Sequence, residues 1–161
     1  PETWDEMERM AEVIQAGEQR TNPDFWGFLI EAAPSEGLMC RLMEMFASHA
    51  DPAEPGMSGL SIDPIILPSG EIVINRNHTV RALRRMARWF GRITPLVALD
   101  WGSGDTWGSY RDGKGAFMVS WLSIASLLQC ETCATKGKVG VWKAPGIVPG
   151  LGRGTAGGYA Y

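Results

Sequence analysis

The chain's 161 residues, 45% apolar and 20% charged with a net charge of −3, suffice for one globular domain with a substantial core. They exclude a membrane-spanning helix, because the longest apolar stretch, around Ala116 to Leu128, is interrupted by three serines. No basic segment followed by an apolar block opens the chain, so no secretory signal is visible, and three cysteines without a disulfide framework fit a reducing compartment.

Thr3-x-x-Glu6 reads as a capping box opening a helix with Trp4, Met7, Ala11 and Ile14 on one side, stopped at Gly17. Asn22-Pro23 reads as a cap and first helical turn for a short apolar helix, Asp24 to Ala32, closed by Pro34. Ser35 caps a third helix that buries Leu38, Leu42, Met45 and Phe46. After a loop over 50–61, Ile65–Leu67 and Ile72–Ile74 flank Pro68-Ser69-Gly70-Glu71, a hairpin signal over about 64–75. A helix capped by Asn77 or Thr79 then runs past Gly91 toward Pro95. Residues 100–115 read as a Gly- and Asp-rich loop, and Ala116 to Gln129 as a central buried helix. The fold class expected is mainly α: a helical bundle core over 1–138 with one short hairpin. An extended Gly-rich C-terminal arm over 139–161 follows, carrying Val141, Trp142, Ile147, Leu151, Tyr159 and Tyr161 for docking on an adjacent subunit.

Charge is divided unevenly. Residues 1–71 hold 14 acidic and 3 basic side chains, and residues 72–161 hold 4 acidic and 12 basic. Arg81, Arg84, Arg85, Arg88 and Arg92 share one stripe of the 77–95 helix, with no acidic residue between Glu71 and Asp100. Like charges at i,i+4 oppose a helix by roughly 0.2–0.5 kcal/mol per pair, so an anion from elsewhere must offset them. Guanidinium forks suit phosphates, and a row of them tracks a nucleic-acid backbone without reading bases. The protein's own acidic part is the competing partner.

Cys130-x-x-Cys133 is half of a zinc knuckle, for which Cys40 and His49 are the weak further ligand candidates. Two free thiols near a helix end are the alternative. No nucleophile–base grouping, phosphate loop or dinucleotide spacing is present, so no enzyme activity, cofactor or metal is assigned.

Thr79-Val80-Arg81-Ala82-Leu83 with Trp89 and Phe90, then Val119-Ser120-Trp121-Leu122-Ser123, resembles the core of coat proteins from flexuous filamentous plant RNA viruses. In that family a Phe-Asp-Phe-Phe-Asp motif stands where this chain has serines at both acidic positions. The resemblance implies a self-assembling filament packing single-stranded RNA, located in the virion and host cytoplasm, with itself and RNA as partners and no membrane. Arg81, Arg84, Arg85, Arg88, Arg92, Lys114 and Ser120 would then meet RNA, while Trp89 and Trp121 pack the core. Asp63-Pro64-Ile65-Ile66-Leu67-Pro68-Ser69-Gly70 with Asn75-Arg76 resembles the start of a U-box ubiquitin-ligase domain, which keeps an interaction module open. A zinc-stabilised binding domain is the third reading.

Overall fold

The computed structural model describes residues 1–57 and 64–152. In chain order they form α1 (Trp4–Glu18), β1 (Trp26–Leu29), α2 (Glu36–His49), α3 (Asn77–Trp89), a 3₁₀ turn (Leu96–Asp100), α4 (Ser103–Arg111), β2 (Gly115–Met118) and a second 3₁₀ segment (Leu122–Gln129). The described residues are thus helix-rich, and the departure from expectation is a two-stranded parallel sheet, Trp26↔Gly115, Phe28↔Phe117 and Leu29↔Met118.

Thr3 caps α1 as its sequence predicts. Its hydroxyl accepts from the Glu6 amide at 3.2 Å, while the Glu6 carboxylate accepts from the Glu2 amide at 2.8 Å. The predicted Asp24–Ala32 helix is corrected to β1. Phe25 to Ile30 is a short apolar run buried on both faces, and such a run suits a parallel strand as well as a helix. The predicted Ala116–Gln129 helix likewise divides into β2 and the 3₁₀ segment, and the predicted 100–115 loop contains α4. α3 ends at Trp89 instead of reaching Pro95, because Phe90 is extended and Gly91 turns the chain with φ +79°. The hairpin expected over about 64–75 closes as one antiparallel bridge, Ile66↔Ile72, turned at Gly70 with φ +85°.

α1, α2 and α3 pack on β1 around Trp4, Met7, Phe28, Met45, Met86 and Trp89. Trp89 stands 5.4 Å from Trp4 and 4.9 Å, edge-on, from Phe28. Both buried indoles are satisfied: Trp4 Nε1 donates to Ser48 Oγ at 2.9 Å and Trp89 Nε1 to Glu8 Oε1 at 3.0 Å. α1 lies close against β1, and a Cβ on Gly27 would stand 2.6 Å from the Ala11 carbonyl oxygen. Gly27→Ala is therefore expected to destabilise the protein by about 1–3 kcal/mol, since helix backbone must shift to admit the methyl. Urea denaturation measures this, and an unchanged midpoint would refute it.

The arm expected over 139–161 does not extend away where it is described. Gly146 is clasped by the N-terminus, accepting from the Trp4 amide at 2.9 Å and donating to the Glu2 carbonyl at 3.1 Å. Ile147 donates to the Ser48 carbonyl at 3.0 Å and packs on the core, and Leu151 is buried. Val141 and Trp142 are exposed. Tyr159 and Tyr161 lie outside the described residues.

Candidate functional site

Three charged side chains from two elements meet at the edge of the core. Glu31 lies two residues past the end of β1, and Arg41 and Glu44 sit one turn apart on α2, so all three are carried inward by apolar neighbours. Arg41 Nε donates to Glu31 Oε1 at 3.2 Å, and its Nη1 pairs with Glu44 Oε2. Glu31 is 0% and Arg41 1% exposed. The Arg41 guanidinium lies over the Trp121 ring, 4.7 Å from its centroid, a cation–π contact in a desolvated setting. The Trp107 ring stands 6.2 Å from Trp121 and perpendicular to it, with Nε1 donating to Ser120 Oγ at 2.8 Å. Trp121 is thus contacted by both a cation and an indole.

In front of it opens a cavity of about 630 Å³, walled by Trp121, Trp142, Tyr110, Ser120, Glu44 and Lys143. That volume lies within the usual range for a small-molecule site. Burial pushes the Tyr110 phenol above its ordinary pKa, so the hydroxyl stays neutral and available as donor or acceptor. The wall therefore combines flat apolar faces with a hydroxyl, a carboxylate and an ammonium, which suits an uncharged ligand having C–H faces and polar edges.

The arginine stripe is largely answered from within. Arg81 pairs with Glu54 at 2.7 Å, and Arg85 with Asp5 at 2.7 Å and Glu8 at 2.6 Å. Arg92 pairs with Glu8 at 2.6 Å and Glu12 at 2.8 Å. Burial alone would raise the Glu8 pKa, but hydrogen bonds from Trp89 and Arg92 and the charge of Arg85 hold it below its ordinary value. Arg84 and Arg88 are exposed and make no ion pair among the described residues. Lys114 stands 4.0 Å from Asp24, and Ser120 is taken by Trp107. Of the seven residues expected on one RNA surface, Arg81, Arg84, Arg85 and Arg88 lie on α3, Arg92 lies just beyond it, Lys114 is beside Asp24, and Ser120 lines the aromatic cleft.

Cys130 and Cys133 are joined as a disulfide, which corrects the reading of a reduced pair and leaves neither sulfur as a thiolate ligand. Cys40 is a free thiol. The His49 ring engages the Met45 carbonyl through Nδ1 at 2.7 Å. Among the described residues, no group of three His, Cys, Asp or Glu side chains is arranged to hold a metal, and no helix is long and apolar enough to cross a membrane.

Comparison with known proteins decides between the readings. No family model matches the chain. A probable ABC transporter-binding protein of Deinococcus radiodurans is 31% identical over 159 residues, covering 99% of this chain and 35% of its own length. Maltose-bound MalE3 of T. maritima superposes with a TM-score of 0.77 at 29% identity, over 96% of this chain and 35% of that protein. An ABC transporter solute-binding protein from Agrobacterium radiobacter K84 in complex with ribitol, at 21% identity and TM-score 0.68 over 91% of this chain and 33% of that one, shares the fold. The chain thus spans about a third of the length of the curated relative that it matches.

These similarities run nearly end to end, whereas the coat-protein resemblance touched about a quarter of the chain and rested on apolar spacing. They overturn the coat-protein reading and what hung on it: the filament, the homo-polymer, single-stranded RNA as partner, and the virion or host cytoplasm as location. Its physical basis was an uncompensated arginine helix, and α1 supplies much of the compensation. The U-box and zinc-domain readings fall with it, the first reduced to a single bridge and the second to a disulfide.

Glu31, Arg41, Glu44, Trp107 and Tyr110 escaped the sequence reading, and Trp121 and Trp142 were assigned elsewhere. One signal for them existed: Arg41 and Glu44 fall on the same helical face as Leu38, Leu42 and Met45, where a charge demands a partner.

Proposed function

We propose that this chain forms part of the solute-binding component of an ABC transporter, and that the Trp121 cleft takes a sugar or polyol. The observation carrying this reading is a half-buried tryptophan beside a carboxylate and a neutral phenol in a cavity of about 630 Å³. A pyranose or alditol offers C–H faces that stack on indole and hydroxyls that bond to Glu44, Tyr110 and Lys143. The end-to-end similarity to a protein solved with maltose supports the same chemistry. The role is binding and release of an unchanged solute, not catalysis, and the transporter's membrane subunits are the protein partner. The Cys130–Cys133 disulfide supports a site outside the cytoplasm, where oxidising conditions preserve it.

Tryptophan fluorescence of the full-length protein, titrated with maltose, ribitol and a panel of neutral sugars, tests this. At least one is expected to give a saturable change, and Trp121→Ala to weaken its binding at least tenfold, about 1.4 kcal/mol. No saturable response to any sugar or polyol, or unaltered affinity in the variant, would defeat the reading.

A further inference from the structure

A second concavity, of about 420 Å³, shares no lining residue with the aromatic cleft. Arg81, Arg84, Arg85 and Arg88 of α3 line it, together with His49 at the end of α2 and Asp5 of α1. Two features of the residues lining this groove have no partner among the described residues. The first is charge. Arg81 and Arg85 are balanced by Glu54, Asp5 and Glu8, but Arg84 and Arg88 have no ion pair among the described residues. They sit four residues apart, on one face one turn from each other, so two cations stand side by side with no ion-paired anion among the described residues.

The second is a buried acceptor. His49 is 1% exposed, and its Nδ1 lies 2.7 Å from the Met45 carbonyl oxygen, which only accepts. Nδ1 therefore carries the ring hydrogen and Nε2 is a bare lone pair. That Nε2 is buried with no hydrogen-bond partner, an arrangement that is costly in isolation.

A ligand answering both must bring negative charge to the arginines and a hydrogen to Nε2. Sulfate and carboxylates are fully deprotonated near neutral pH and lack the hydrogen; a neutral hydroxyl compound lacks the charge. A phosphoryl group that keeps a P–OH supplies both. We propose that this groove binds such a group, as inorganic phosphate, which keeps a P–OH in both forms present near neutral pH, or as the monoanion of a phosphate monoester, with Arg84 and Arg88 on its oxygens and His49 Nε2 accepting from its P–OH. Asp5, already bonded to Arg85, adds negative charge and so favours the more protonated forms of the group over the fully deprotonated one. The groove exceeds the volume of one phosphate, which leaves room for an ester substituent.

The test is calorimetric titration of the full-length protein at pH 7 with inorganic phosphate, glycerol phosphate and sulfate, alongside nitrogen NMR of the His49 imidazole. Saturable binding of phosphate or the monoester is expected, at least tenfold tighter than sulfate. The His49 Nε2 resonance is expected to move from a free toward a hydrogen-bonded acceptor, and whichever compound binds more tightly identifies the source. The R84Q/R88Q double variant changes only exposed side chains and removes a like-charge i,i+4 pair; it should melt no lower than wild type and lose at least tenfold in phosphate affinity. Maltose should not displace phosphate. Equal affinity for sulfate, an unmoved His49 resonance, or undiminished phosphate binding in R84Q/R88Q would each overturn the proposal.

Discussion

Arg41→Met is expected to cost about 3–5 kcal/mol of stability, the range for removing one partner of a buried ion group. The reason is what remains behind. Glu31, 0% exposed, and Glu44, 6% exposed, would keep carboxylates in the protein interior without the guanidinium that answers them. For a protein of this length the loss corresponds to a melting temperature lower by about 6–20 °C. Glu31→Gln combined with Arg41→Met should recover part of it, because an amide tolerates burial better than an unpaired carboxylate. Trp121 supplies a second readout: without the cation 4.7 Å from its centroid the ring loses one of its two supports, so its emission should shift and sugar affinity should fall. A single variant as stable as wild type would show that the three charges are not coupled as their geometry indicates. Thermal denaturation of the two variants decides it.

Acid should weaken the protein well before most carboxylates titrate, by about 3 kcal/mol between pH 6.5 and pH 4. Burial pushes the His49 imidazole down to about 4 from its ordinary 6.5; the Met45 hydrogen bond opposes this, and the nearby Arg85 and Arg81 charges add to it. The unfolded chain therefore takes up this proton first as the pH falls. His49 contributes its full stability above 6.5, and that contribution is lost progressively down to 4. Glu8 acts in a lower window: its depressed carboxyl contributes above its ordinary value of 4.5 and loses that contribution only as the pH falls through its folded-state value. Urea melts from pH 7 to pH 4.5 should consequently slope for wild type and flatten for His49→Gln. Parallel curves would remove His49 from the account.

Where helices carry caps and a 3.6-residue period, their residues announced them: Thr3 with Glu6 opens α1, and the apolar positions from Leu38 to Phe46 follow α2. Phe25 to Ile30 and Ala116 to Met118 are too short and too uniformly apolar for a period to show, and only their pairing with each other makes them strands. The cleft was harder still. Trp107, Trp121 and Trp142 are spread over 36 residues, and Glu31 meets Arg41 across an element boundary; no local spacing encodes either meeting. The arginine stripe was visible, but its carboxylate partners lie 77 and 84 residues earlier at Glu8.

That separation bears on how the chain folds. α3 alone carries its own repulsion, so it gains little as an autonomous helix and is steadied once α2 packs on it and the α1 carboxylates reach Arg85. α1 is made before α3, and its acidic face is answered only once α3 follows. Contacts closed over such distances form late and slow folding. Added salt should then act with opposite sign at the two ends of the process, easing the isolated arginine helix by screening while loosening the finished pairing of α1 with α3.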